Sequence, residues 1–205
     1  MKIVGILLAA GLSKRFGSNK LLFSIQNEPL VHRTARCLLK AGIADLTVIV
    51  GHQAAQVSET LADLPLRCVF NPHYSEGRPR SLHLGWENMP ADADAVLICP
   101  ADLPFLEIAD VQTVIDAFKQ LPPNSLIIPH FNQQRGHPII ISAAHRQAIL
   151  DYLPQGGCRA FIANHPQYVR HLAVNSHNFI ADLDTPHDIL LHNIGVSTNP
   201  FSEKK

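Results

Sequence analysis

The sequence predicts an α/β fold: a three-layer, Rossmann-like and mostly parallel sheet with helices on both faces. Short apolar runs recur along the chain, the pattern of strands buried on both faces. Segments with helical spacing lie between them, as the crossovers of parallel strands require. With 205 residues, 46% of them hydrophobic and 17% charged, the chain is long and apolar enough for one well-buried α/β domain.

In chain order, the strands are expected at Ile3–Ala9, Leu46–Val50, Arg67–Phe70, 95–99 and 126–129. The first helix is expected over 29–40, with Pro29 at its first position and Gly42 just past its end. Further helices fit 53–61, 81–88 and 108–120, the last stopped by Pro122 and Pro123. After about residue 130 the alternation weakens into Ile139–Ser142, a short helix, the stretch GGCRAFIAN, a strand over 168–174 and a helix from Pro186. This half is expected to cap the first sheet in elaborated form. Residues 1–195 read as a single domain, and 196–205 as a polar tail.

Lys plus Arg and Asp plus Glu balance at 17 each, so no global field draws the protein to nucleic acid or an anionic membrane. The apolar start MKIVGILLAAG runs directly into SKRFGSNK, too short to span a bilayer and without a small-residue cleavage site, so the chain reads as cytoplasmic. Cys37, Cys68, Cys99 and Cys158 stand far apart with no CxxC pair and read as reduced, mostly buried thiols.

In open parallel sheets the chemistry lies just after each strand. After the first run come Ala9, Ala10, Gly11, Leu12, Ser13, Lys14, Arg15, Phe16, Gly17, Ser18, Asn19 and Lys20. The glycines let backbone approach a ligand, and Lys14, Arg15 and Lys20 bring positive charge, a combination suited to polyphosphate. The loop is neither a Walker A sequence nor a GxGxxG motif, and a plain flexible basic loop is the competing reading.

After the run at 95–99, Asp102 in CPADLP stands at a strand end, as a hard-metal ligand or as a cap for the next helix. Late in the chain, Asp182 and Asp184 share one side of an extended segment with Leu183 on the other; Asp184 and Thr185 also make a good helix start. In NPHYSEGRPRSL, Gly77 and Ser81 stand where backbone and hydroxyl groups at a helix start can meet a base edge, or the segment is simply a turn.

Six motifs, LAAGLSKRFGSNKLL, NPHYSEGRPRSLHLG, PADLP, RGHPIIIS, GGCRAFI and DLDTPHD, resemble in content and order the MobA-like nucleotidyltransferases. Among these, the chain is most similar to molybdenum cofactor cytidylyltransferases. The resemblance implies a sheet of the nucleotide-diphospho-sugar transferase type. It assigns Ala9, Ala10, Gly11, Ser13, Arg15 and Lys20 to the nucleotide, with Arg15, Lys20 and Asp102 catalytic. Asp102 and Asp184 would hold Mg²⁺, Gly77 and Ser81 would recognise the base, and Gly136, His137 and Pro138 would form the acceptor side. Alanine at position 10 and the GHP tripeptide favour CTP over GTP, while Phe16 and the Arg78-Pro79-Arg80 stretch depart from the family pattern.

The implied reaction transfers CMP from CTP to a phosphorylated small-molecule acceptor, molybdenum-bearing molybdopterin, with pyrophosphate released and the product handed to a molybdoenzyme or its chaperone. The attacking phosphate is already ionised, so His137 is expected to position rather than act as a base. Three rivals stand beside this reading: guanylyl or other transfer to a sugar 1-phosphate or another phosphorylated metabolite, a nicotinamide-dependent oxidoreductase, and a silent nucleotide-binding protein.

Overall fold

A computed structural model of the chain describes residues 1–191. Its strands and helices run β1 (Ile3–Ala9), β2 (Ser24–Ile25), β3 (Glu28–Pro29), α1 (Leu30–Lys40), β4 (Leu46–Val50), α2 (Ala54–Thr60), β5 (Arg67–Phe70), α3 (Arg78–Glu87) and β6 (Ala95–Pro100). They continue with α4 (Ile108–Lys119), β7 (Leu126–Phe131), β8 (Gln134–Arg135), β9 (Ile139–Ser142), α5 (Arg146–Asp151), α6 (Cys158–Asn164), β10 (Val169–Ala173) and α7 (Pro186–Leu191). The expected polar tail at 196–205 lies outside the described residues.

The main sheet has the order β10-β7-β9-β6-β1-β4-β5, with β8 paired to β7 and with β2 and β3 forming a separate hairpin. β1 pairs in parallel with β4 and β6, β4 with β5, and β10 with β7; β9 runs antiparallel to both β6 and β7. Every residue of β4 and β6 is buried, as strands covered on both faces must be. Alternate side chains of β1 serve opposite layers. Leu7 and Ala9 join Val31, Leu38, Val57 and Val114 of α1, α2 and α4, whereas Val4 and Ile6 join Trp86, Ile149 and Phe161 of α3, α5 and α6.

Two expectations are corrected. The chain after residue 130 does not cap the first sheet; β9 and β10 join it, one on each side of β7. The fully buried Ile139, Ile140 and Ile141 fill a central position, which a one-sided cap would not bury. Helix α3 begins at Arg78 rather than 81, because Pro79 sits in its first turn, where a fixed φ and a missing N–H cost nothing.

A third apolar cluster lies off the sheet and positions the site. Phe16, Ile25, Leu30 and Leu183 are buried together, with Phe23, Phe105 and Ile189 against them. This ties the basic loop, the β2–β3 hairpin and the segment before α7 into one body. The hairpin is anchored in turn by Glu28, which accepts from Arg36 Nε at 2.7 Å and Nη2 at 2.6 Å. The Arg36 hydrogen bonds, with help from His32 and against burial, hold the Glu28 carboxyl down at about 2. All four cysteines are free thiols, and burial pushes Cys37 up to about 11 and Cys158 to about 12. Among the described residues no helix is long and apolar enough to cross a membrane.

Candidate active site

The loop after β1 is preset by its own short-range bonds. Ser13 adopts a left-handed conformation (φ +51°), its carbonyl accepts from Phe16 N–H at 2.9 Å, and its hydroxyl accepts from Lys20 N–H at 3.2 Å. Buried Asn19 accepts from Leu21 N–H at 3.1 Å and donates to the His52 carbonyl at 3.3 Å, which fixes the turn that aims Lys20. Phe16, which departs from the family pattern, anchors the loop in the third cluster.

Lys20 is the hinge of the site. Its ammonium donates to Asp102 Oδ2 at 2.7 Å and to Asp184 Oδ1 at 2.8 Å, while Arg15 Nη2 donates to Asp184 Oδ2 at 2.6 Å. The Lys20 and Asp102 side chains keep only 12% and 14% of their surface exposed. Residues distant in sequence meet because Leu183 N–H donates to the Asp102 carbonyl at 2.9 Å and Leu183 itself is fully buried. Asp182 and Asp184 therefore flank a buried anchor. Asp184 shares the ammonium with Asp102; Asp182 does not.

The competing capping roles go to other residues. Helix α4 is capped by Glu107 with Asp110 in a reciprocal capping box, so Asp102 is not needed there. The backbone N–H groups of Asp184 and Thr185 donate to Asp188 Oδ2 at 2.8 and 2.6 Å, which leaves the Asp184 carboxylate to the cleft.

Burial opposes the charge of Lys20, but the charges and hydrogen bonds of Asp102 and Asp184 outweigh it, and its pKa ends raised. Burial likewise opposes ionisation of Asp184, and Lys20 and Arg15 outweigh it, so its pKa ends lowered. At Asp182 burial and the nearby charges of Asp184 and Asp102 act together and raise the pKa. Asp184, which shares the Lys20 ammonium, is thus pushed towards its charged form, and Asp182 beside it away from it.

The donor set suits a hard divalent cation. Asp102 Oδ1 is buried without a hydrogen-bond partner, an acceptor that an oxygen-seeking ion would satisfy. Among the described residues no group of three or more His, Cys, Asp or Glu side chains converges as a metal cage. Two carboxylates with ligand phosphates supplying the remaining oxygens is the arrangement Mg²⁺ prefers.

A cleft of about 350 Å³ opens over this constellation, and Ala10, Gly11, Ser13, Arg15, Lys20, Gly77, Ser81, Asp102 and Asp184 all line it. Ala9 does not: its side chain is buried in the core. Gly77 has φ +105°, ψ 179°, a conformation open essentially to glycine, and directly precedes α3. The Ser81 hydroxyl accepts from Asn71 Nδ2 at 2.9 Å, with both residues buried.

A second cavity, of about 540 Å³, adjoins the cleft through Leu8 and Arg78 and is lined by Gly136 and His137. Pro138 is buried and does not line it. Burial, with the Arg78 charge, pushes His137 down to about 4, so it is neutral at pH 7. The two arginines left without a role in the sequence separate here: Arg78 lines both cavities, while Arg80 donates to Glu76 Oε2 at 2.7 Å on the surface.

Gly136 is needed for close approach, since a Cβ there would meet the Phe179 carbonyl oxygen at 2.7 Å. Gly136→Ala is expected to destabilise the protein by about 2 kcal/mol, as overpacking against backbone does; urea unfolding checks it, and an unchanged midpoint would refute the contact.

Sequence reasoning missed Asn71, Tyr74, Arg135 and Arg159, which the structure places at or behind the two cavities. Asn71 had a signal in its place directly after a strand. Arg135 and Arg159 had none, because their partners in space are far away in sequence.

Comparison with known proteins agrees with this geometry. Residues 5–171 match the model of the MobA-like NTP transferase domain. The chain is 27% identical over 195 residues to a probable molybdenum cofactor guanylyltransferase of Synechococcus elongatus, covering 92% of this chain and 96% of the relative. It is 26% identical over 189 residues to the nicotine blue oxidoreductase of Paenarthrobacter nicotinovorans, covering 89% and 92%. A nucleotidyl transferase structure from Methanothermobacter thermautotroptrophicus superposes with a TM-score of 0.79 at 20% identity, over 93% of this chain and 95% of that one, and so shares the fold. With the family model spanning most of the chain, from the first strand to the last, the protein belongs to the MobA-like NTP transferase family and is a nucleotidyltransferase.

Proposed function

We propose that the protein transfers CMP from CTP to a phosphorylated small-molecule acceptor, molybdenum-bearing molybdopterin, and releases pyrophosphate. The observation that carries the reading is the Lys20 ammonium held between Asp102 and Asp184 at the floor of a cleft walled by the basic loop. Alanine at position 10, on the cleft wall, is the residue behind the choice of CTP. The guanylyltransferase name of one full-length relative points the other way on the base, which makes the nucleotide the first thing to test.

In this reading the acceptor's phosphate oxygen attacks the α-phosphorus in line as the bond to pyrophosphate breaks. Two anions must approach, so the protein's work is alignment and charge neutralisation. Gly11 and Ser13 offer backbone donors to the phosphates from a preset loop, and Arg15 and Lys20 balance the charge of the leaving pyrophosphate. Asp102 and Asp184 would hold Mg²⁺, which would supply Lewis-acid neutralisation of the phosphates when bound. Gly77 backbone and the Ser81 hydroxyl, oriented by Asn71, face the base. His137, neutral at pH 7, has no proton to remove from an ionised phosphate and serves to position the acceptor.

The test is pyrophosphate release from CTP and GTP with Mg²⁺, with and without molybdenum-bearing molybdopterin. Acceptor-dependent release from CTP, at least about tenfold faster than from GTP, is the expected result, a ratio that one or two discriminating contacts supply. Preference for GTP overturns the base assignment, and absence of release with this acceptor overturns the molybdopterin assignment. Because one relative is named an oxidoreductase, a parallel arm follows NADH and NADPH oxidation; turnover there, without pyrophosphate, would overturn the whole reading.

A further inference from the structure

Seven of the ten arginines, all of them among the described residues, have a polar partner. Arg15, Arg36 and Arg80 pair with carboxylates, and Arg33, Arg67, Arg146 and Arg170 donate to backbone carbonyls. Three have neither a hydrogen-bond nor an ion-pair partner among those residues: Arg78, Arg135 and Arg159. All three line the second cavity, and no acidic residue lines it with them.

They arrive there from separate elements: Arg78 from the first turn of α3, Arg135 from β8 and Arg159 from α6. The rest of the lining is largely apolar, with Leu82, Ile98, Ile128, Ile139 and Ile162. One exposed arginine without a partner is an ordinary solvated side chain. Three converging on an apolar concavity with no counter-charge form a local positive field, which an anionic ligand would relieve. Neighbours already feel this field: the charge of Arg78 bears on His137 and that of Arg135 on His171, in each case against the protonated ring. Arg78 also lines the nucleotide cleft, so it stands where a group bound in one cavity meets a group bound in the other.

We propose that the second cavity recognises an acceptor with at least two anionic groups on an apolar body. Arg78 takes the phosphate that attacks, Arg135 and Arg159 take a second oxyanionic group remote from it, and the apolar residues take the body between. The planar guanidinium matches either oxyanion with two parallel hydrogen bonds. This rests on the reading of the cleft as the nucleotide site, and it makes Arg135 and Arg159 the specificity-determining residues for the acceptor. An acceptor whose only anionic group is the attacking phosphate would leave both unused.

The test needs no turnover, so its outcome is independent of the pyrophosphate assay. The probes are the fluorescent trianion 8-hydroxypyrene-1,3,6-trisulfonate and the monoanion pyrene-1-sulfonate, followed by fluorescence anisotropy. Wild type is expected to bind the trianion at least about tenfold more tightly than the monoanion, since each added charge-assisted contact contributes that much. The double variant Arg135→Gln/Arg159→Gln is expected to lose that advantage. Arg80→Gln, on the surface and paired with Glu76, is expected to bind both probes as wild type does. Equal trianion binding by wild type and the double variant would overturn the proposal. So would complete displacement of the trianion by CTP, which would place it in the nucleotide cleft.

Discussion

Asp102→Asn is expected to slow pyrophosphate release by about 10³-fold while the protein stays folded, the scale seen when one preorganised electrostatic group is removed from a transition state. The substitution keeps the side chain's shape and removes its charge. Asp102 stands at the end of β6, where its Oδ2 accepts from Lys20 and its Oδ1 is buried without a partner. An amide there can satisfy neither an ammonium nor a divalent cation on both atoms, since one of the two becomes an NH₂ donor. Steady-state pyrophosphate release and a thermal melt, taken together, check this. Activity within a few-fold of wild type would remove Asp102 from the chemistry and return it to a structural role.

Lys20→Met is expected to lower stability by about 3 kcal/mol, because it breaks a largely buried ion pair, leaves Asp102 without its counter-charge and leaves Asp184 only the exposed Arg15. The variant is also expected to respond more strongly to cations than wild type. In wild type an incoming cation meets carboxylates already held on the Lys20 ammonium; in the variant Asp102 is free and Asp184 keeps only Arg15. Added Mn²⁺ should therefore raise the melting temperature of the variant by more than that of wild type, by ligand linkage to the folded state. Equal shifts in the two proteins would show that the carboxylates do not hold the ion.

The pH dependence of the same cluster has a definite sign. Asp184 has a lowered pKa in the folded protein, so its pairing stabilises above the ordinary carboxylate range and is lost as pH falls through the folded value. Lys20 has a raised pKa, so its contribution is complete below its ordinary value and is lost only as pH rises through the folded one. Between these limits the Asp184–Lys20 pair keeps its charges throughout the neutral range.

Much of the site was legible because its residues sit at strand ends. Asp102 lies two residues past the end of β6, and the basic loop directly follows β1, so an apolar run marks each in the sequence. Capping by Asp102 and Asp184 could not be dismissed from local pattern alone. Glu107 with Asp110 and Asp188 settle it by taking those helix starts themselves, a matter of which carboxylate lies nearest in space. Arg78 and Arg80, two positions apart, looked equivalent, but one lines both cavities and the other pairs with Glu76 on the surface. Residues two apart on a helix face different directions.

By itself, the sequence determined the parallel sheet, the alternation of strands with crossover helices, and the loops that carry charge, because buried strands and helix faces write their periods directly into neighbouring residues. Only the tertiary structure decided that β9 enters the sheet antiparallel between β6 and β7, that Asp184 rather than Asp182 shares Lys20 with Asp102, and that Arg78, Arg135 and Arg159 gather on one cavity. These outcomes depend on which distant segments pack together. The buried Leu183 anchor and the extension of the sheet after residue 130 set that packing, and neither leaves a period in the local chain.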